Sequence, residues 1–159
     1  MAQVANPRKG FNFRITLMNS RGIILNNFLV QEVNLPEPSV DSVEHGDMNY
    51  LVKTGGLKKY GAMKIKKICP ADLTGLLDNF IWSWISDVQN ENLGGGELPS
   101  IYKKTVRVEQ LGTDGFSVLS TNTYEGCWPI RVNGIDLSRM QSSNIIEEFE
   151  LSVDRMIRI

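Results

Sequence analysis

One segment of the sequence, Asp72 to Val88, carries a helical pattern of apolar residues that no other segment matches. Its apolar residues recur three and four positions apart and form one broad stripe: Leu73, Leu76, Leu77, Phe80, Ile81, Trp84, Ile85 and Val88. Pro70 and Asp72 are typical helix-start residues. The pattern predicts one helix over about 72–89. Because a helix with one apolar face needs a partner surface, we expect a mainly β protein whose core this helix covers.

Most of the remaining chain alternates between apolar and polar residues, which is the pattern of half-buried strands. The predicted strands cover residues 11–17, 23–33, 62–68, 102–109, 116–124, 127–135 and 144–159. Turn residues separate them at Asn19 to Gly22 and at Gly112 to Gly115. The length of 159 residues predicts a single domain, 1–159, that begins with a loose N-terminal arm over 1–10.

The composition limits the function classes. A formal net charge of -1 argues against a general nucleic-acid-binding surface, because phosphate binding relies on clustered Lys and Arg. No apolar run approaches membrane-spanning length, and the N-terminus lacks the pattern of a secretion signal. The sequence therefore predicts a protein that folds in a cytoplasm and does not insert into a membrane.

Residues 39–61 form a segment with few core-type residues and a division of charge. Its first half is acidic and its second half is basic; the charged residues are Asp41, Glu44, Asp47, Lys53, Lys58 and Lys59. One interpretation is a solvated surface loop. The other is an extended arm that docks on a neighbouring subunit through these six residues.

The last predicted strand has an apolar face with Phe149 and Leu151 and an acidic face with Glu148, Glu150 and Asp154. A solvated outer face of an antiparallel sheet is the simpler interpretation. The alternative is an acidic wall with a function of its own.

No set of residues indicates catalysis, a metal site or a cofactor. The single histidine, His45, has no nucleophile motif beside it, and the three glycines at 94–96 lack the following Lys-Ser/Thr of a phosphate loop. Glu147, together with the other acids of the last strand, does not form a convincing carboxylate pair. Cys69 and Cys127 are not in metal-binding spacing, and we expect buried thiols, with a disulfide as the alternative.

The last third of the chain resembles the tail tube proteins of contractile-tailed bacteriophages. The segments that carry the resemblance are Tyr124 to Val132, Gly134 to Leu137 and Asn144 to Leu151, with weaker similarity at Leu35-Pro36, Gly56 to Gly61 and the helix containing Trp84. The inner-tube proteins of phage-derived contractile injection systems are similar, and type VI secretion tube proteins share the architecture more distantly. The resemblance covers roughly Phe11 to Asp154, which is nearly the whole chain.

The resemblance implies two packed antiparallel sheets that form a β-barrel or sandwich with one flanking helix. It also implies hexameric rings that stack into a hollow tube inside a contractile sheath, in the tail of a virion assembled in the host cytoplasm. The 39–61 arm would reach the adjoining ring, the helix would face the sheath, and neighbouring strands would join edge to edge. Genomic DNA would pass through the lumen without specific binding, along a wall that includes Glu148, Glu150 and Asp154. Baseplate and tail terminator proteins would be further partners.

Two other functions remain open at this point. The same architecture can serve as the inner tube of an injection system that delivers protein effectors. A monomeric ligand-binding β-barrel is a further alternative, but it leaves the charged 39–61 segment unexplained. An enzyme is the least supported class.

Overall fold

The computed structural model describes residues 10–19, 22–26, 30–68, 76–134, 137–140 and 145–159. Within these residues the strands are β1 Phe13–Asn19, β2 Gly22–Asn26, β3 Val30–Asn34, β4 Pro38–Asp47, β5 Tyr50–Tyr60, β6 Met63–Ile68, β7 Lys104–Leu111, β8 Val118–Val132, β9 Ile146–Ser152 and β10 Arg155–Arg158. The helices are α1 Leu76–Val88 and the single turn α2 Pro99–Tyr102. The predicted helix start at Pro70 and Asp72, and also Cys69, lie outside the described residues.

The strands form an antiparallel sheet in the order β2-β1-β7-β8-β9-β6-β3, and β10 also pairs with β8. The 15-residue strand β8 links the two halves of this sheet, because its first part pairs with β7 and β10 and its last part pairs with β9. The two halves pack against each other as a sandwich, and the described strands do not close into a barrel. The expected fold of two packed sheets with one flanking helix is confirmed.

Four of the predicted strands are joined or divided differently in the structure. The strands predicted over 116–124 and 127–135 are joined in the single strand β8, Val118–Val132, in which Gly126 has φ 68 and allows a bend without a break. Residues 23–33 instead give two strands in different halves, since β2 pairs with β1 and β3 pairs with β6. The last predicted strand is divided between β9 and β10, with Asp154 at the break.

One cluster of buried side chains joins both halves of the sheet and the helix. It contains Ile15, Leu17, Met63, Ile65, Ile81, Trp84, Val106, Val108, Tyr124, Cys127, Phe149, Leu151 and Val153. The predicted apolar stripe supplies Ile81 and Trp84, while Trp82 remains exposed. The Trp84 indole Nε1 donates a hydrogen bond to the Tyr102 carbonyl oxygen at 2.6 Å, so the polar group of this buried ring is satisfied.

The β7–β8 turn is organised by Asp114. Its carboxylate accepts hydrogen bonds from the backbone N–H groups of Phe116 and Ser117, both at 3.0 Å, and from the Ser117 hydroxyl. These donors stabilise the charged form and lower the pKa of Asp114 to about 2, with the Ser117 hydroxyl as the largest cause. The stabilisation of the turn is therefore present at neutral pH and is lost as the pH falls through the folded-state pKa.

We expect the Ser117→Ala substitution to raise the pKa of Asp114 towards its ordinary value of 3.8, because the strongest donor is removed. The side-chain carboxyl resonance of Asp114, followed by NMR through a pH titration, measures this change. Asp114→Asn identifies the resonance by removing it. An unchanged midpoint near pH 2 in Ser117→Ala would show that the backbone donors alone set the pKa.

Candidate functional site

The strands β4 and β5 form a separate two-stranded ribbon, Pro38–Tyr60, which we call the arm. Apart from Tyr60, every residue in its two strands is exposed. Its exposed apolar side chains are Val40, Val43, Met48, Tyr50, Leu51, Val52 and Leu57. A two-stranded ribbon alone is marginally stable in water, and exposed apolar side chains on such an element indicate a contact surface. The arm is therefore the first candidate assembly surface.

Most of the charged residues predicted for the arm are paired within it. Lys59 contacts Asp41 at 2.6 Å and Lys53 contacts Glu44 at 3.3 Å, in both cases across the ribbon. The Tyr50 hydroxyl donates to Asp47 at 3.1 Å. These exposed ion pairs contribute at most about 1 kcal/mol each, but they favour one register of the two strands. The acidic and basic halves are thus complementary to each other inside one subunit.

Lys58, the sixth of these residues, lies over the Tyr60 ring with its Nζ 5.4 Å from the ring centroid. His45, on the same arm, lies 3.1 Å from the Thr54 hydroxyl. Both residues contact other residues of the arm and leave its apolar side chains open to a partner.

The second candidate surface is the outer face of β8, β9, β6 and β3, which we call the charged face. It consists of Arg131, Glu148, Glu150, Lys64, Lys66 and Glu32, which lie on neighbouring strands. Lys64 contacts Glu150 at 3.6 Å and Lys66 contacts Glu32 at 3.1 Å. Two of the predicted wall residues, Glu148 and Glu150, are therefore brought together beside lysines. The surface is charge-balanced, since it has three cations and three carboxylates.

The third predicted wall residue, Asp154, lies apart from these two. It follows β9 at the break before β10, and its carboxylate contacts Lys103 at 2.6 Å. Its backbone N–H donates to the Glu125 carbonyl oxygen at 3.1 Å. Asp154 thus fixes the junction between β8 and the β9–β10 segment.

A buried ion pair, which sequence reasoning missed, joins β6 to β9 on the core side. Lys67 Nζ lies 2.7 Å from Glu147 Oε2, and the side chains are 3% and 0% exposed. Alternation contains the signal: Lys67 is in phase with the buried Met63 and Ile65, and Glu147 is in phase with the buried Phe149. The two residues are cross-strand partners, and they lie next to the buried apolar pairs of β6 and β9 on the same face of the sheet.

A cleft of about 360 Å³ is lined by residues of β1, β3 and β7 and of the segments beside them. Phe13, Val33, Leu35 and Val108 contribute its apolar lining, and it is open to solvent. Such a cleft is the feature that a ligand-binding interpretation would use.

Cys127 is a buried free thiol, as predicted, and burial raises its pKa to about 12. Among the described residues there is no group of three His, Cys, Asp or Glu side chains that could hold a metal ion. Neither described helix is long and apolar enough to cross a membrane.

Comparison with known proteins identifies the fold and the family. The anti-feeding prophage tube-terminating cap superimposes with a TM-score of 0.77 at 14% identity, covering 100% of this chain and 95% of that chain. The sheath/tube terminator of an extracellular contractile injection system, PVC, gives 0.74 at 19% identity, covering 98% and 99%. A chain of the PVC sheath-tube complex gives 0.71 at 18% identity, covering 98% and 93%. At these identities the structures show a shared fold.

Comparison with curated protein sequences gave no significant match. The family model for the T4-like virus tail tube protein gp19 matches residues 9–157, which is nearly the whole chain. The chain belongs to the T4-like virus tail tube protein gp19 family.

Proposed function

We propose that this protein is the structural subunit of a phage tail tube, in which hexameric rings stack into a hollow tube inside a contractile sheath. The tube conducts genomic DNA into the host cell without binding it specifically. Its partners are further copies of itself, the sheath protein, and the baseplate and terminator proteins at the tube ends. The tube is assembled in the host cytoplasm and becomes part of the virion tail.

The arm is the observation that carries this proposal. Its residues contact mainly each other, while a row of apolar side chains stays exposed in the single subunit. A neighbouring ring would bury that row and thereby hold the arm in place. We propose that Asp41, Glu44, Asp47, Lys53, Lys58 and Lys59 lie at this contact, where they also keep the ribbon in register.

The sheet edges support lateral assembly. Within the described residues, β2 and β3 end the strand order and each pairs along one side only. Free strand edges invite pairing with another chain, and a closed ring of subunits removes them. We propose that neighbouring subunits join edge to edge, and that the helix side faces the sheath.

The charged face supports the second candidate, the inner tube of an injection system that delivers protein effectors. A lining with equal numbers of cations and carboxylates suits a polypeptide cargo as well as DNA. In either case we propose that Glu148, Glu150 and Asp154 line the lumen. Cargo identity follows from the particle that is isolated, since DNA-filled heads are found only with a phage.

Negative-stain electron microscopy of concentrated protein, together with its mass in solution, tests the proposal. We expect hollow rods or six-fold rings. A persistent monomer, even in the presence of baseplates as templates, would overturn the tube and favour a ligand-binding protein that uses the β1–β3 cleft.

Replacing residues 39–59 with an Asn-Gly turn is expected to abolish rods while leaving the fold intact. Pro38 and Tyr60 are cross-strand partners, so a two-residue turn can join them. We expect a melting temperature close to that of the unmodified protein, because the removed residues are exposed. Rods of normal length from this variant would exclude the arm as the ring-to-ring contact.

Exchanging one ion pair tests the charges separately. Asp41→Lys with Lys59→Asp keeps the pair inside the ribbon but reverses the charges that a neighbouring ring meets. Shortened rods are expected if these residues contact the next ring, and normal rods if they serve only the register of the ribbon.

A further inference from the structure

We infer that Lys64, Lys66 and Arg131 form a phosphate-binding surface that Glu148 and Glu150 keep inactive by direct neutralisation. The glutamates then prevent nucleic acid from adhering by occupying the cations. They do not do so by making the wall acidic. For its biological meaning this inference rests on the proposed tube function, but the binding property belongs to the single subunit.

The strand register carries the argument. Glu150 is the cross-strand partner of Lys64 on one side and of Arg131 on the other. Glu148 is the cross-strand partner of Lys66, which also contacts Glu32 at 3.1 Å. Across this face, β8 therefore presents one cation, β9 two carboxylates, β6 two cations and β3 one carboxylate. Each lysine has a carboxylate on a neighbouring strand.

The side-chain exposures show that the cations are accessible to a polyanion. The Lys64 side chain is 50% exposed and that of Lys66 is 40% exposed, whereas Glu150 is 20% exposed. Lysine is a flexible point charge that can reach a phosphate once its carboxylate neighbour is removed. Each exposed ion pair contributes at most about 1 kcal/mol. The carboxylates therefore neutralise the charge of the lysines without fixing their side chains in place.

Removing two carboxylates leaves three cations beside one remaining acid, Glu32. Two or three phosphate contacts per subunit give a weak but salt-dependent interaction, with a slope of log affinity against log salt of about -2 to -3. Repetition of the surface along an assembled wall would multiply this attraction. A tube with these glutamates intact avoids that attraction.

The test measures binding of a fluorescently labelled 20-base-pair DNA duplex to the soluble subunit by anisotropy, between 20 and 200 mM KCl. We expect Glu148→Gln with Glu150→Gln to bind at least tenfold more tightly than the unmodified protein at 20 mM salt. Adding Lys64→Gln and Lys66→Gln should abolish that gain. Circular dichroism confirms that each variant is folded.

The matched control is Glu91→Gln with Glu97→Gln, which makes the same change in net charge at two exposed residues outside the arm and the charged face. The inference is overturned if this control gains as much affinity as the charged-face variant, because total charge would then explain the effect. It is also overturned if the charged-face variant gains nothing, or if the gain survives loss of both lysines. If the unmodified protein forms rods but the charged-face variant gains no affinity, only this inference fails. If the charged-face variant gains affinity but the unmodified protein forms no rods, the tube function is overturned and the inferred phosphate-binding surface stands.

Discussion

Replacing Lys67 with methionine is expected to lower the free energy of unfolding by about 3–5 kcal/mol. The substitution removes the cation that lies 2.7 Å from Glu147, whose side chain has no exposed surface. An unpaired carboxylate in that position loses both water and its partner, which is the costly half of breaking a buried ion pair. Urea unfolding followed by tryptophan fluorescence measures the change.

Lys66→Met is the matched control, since it makes the same change at the preceding residue of β6, on the opposite face. Its side chain is 40% exposed, and we expect a cost of at most about 1 kcal/mol. The double variant Lys67→Met with Glu147→Leu should recover most of the lost stability, because an apolar pair suits a position next to the buried apolar pairs of β6 and β9. Equal costs for Lys67→Met and Lys66→Met would show that the buried pair is not coupled as the geometry indicates.

Replacing Gly126 with alanine is expected to cost about 2–4 kcal/mol. Gly126 has φ 68, a conformation that alanine adopts poorly. A Cβ atom there would lie 2.1 Å from the Asp154 Oδ2 atom and 2.7 Å from the Asp154 Cβ atom. The carboxylate alone could rotate away, but the Cβ contact requires the backbone between β9 and β10 to move.

Gly134→Ala provides the control, because its added Cβ meets nothing within 4 Å and its φ is not positive. Gly126→Ala with Asp154→Ala should recover only part of the loss, since it removes the carboxylate contacts and keeps the backbone strain. Thermal unfolding is a sufficient measurement, and a shift of several degrees is expected for a chain of this length. If Gly126→Ala and Gly134→Ala have the same melting temperature, neither the strain nor the contact is important.

The helix and most strands were predictable because their signals are local. The stripe that contains Ile81 and Trp84 depends only on spacing within one helix, and the structure buries both residues. The arm was visible from its lack of core residues and its division of charge. Its pairing was not visible, since the sequence does not show that Asp41 meets Lys59 in the same subunit.

The charged face could not be read from the last strand alone. Glu150 has Lys64 as its cross-strand partner, a residue more than eighty positions earlier in the chain, so the strand appeared purely acidic. A similar limit explains why β8 was predicted as two strands. The sequence does not show whether a strand bends or ends at a glycine such as Gly126. Lys67 and Glu147 are a different case. Their phase with buried neighbours was present in the sequence, but charged residues were assigned to the solvent side.

The position of β9 between β8 and β6 has a consequence for how the chain folds during synthesis. Strands β3 and β6 can pair early, but they cannot join the other half of the sheet until residues 146–152 have left the ribosome. Contacts between such distant segments form slowly, and an unfinished sheet exposes an edge to other chains. Lys64 and Lys66 lie on β6, whose edge stays unpaired until β9 is added. Lysine is a residue that discourages strand pairing between chains. We therefore expect these lysines to protect the nascent subunit from aggregation before the glutamates of β9 arrive beside them.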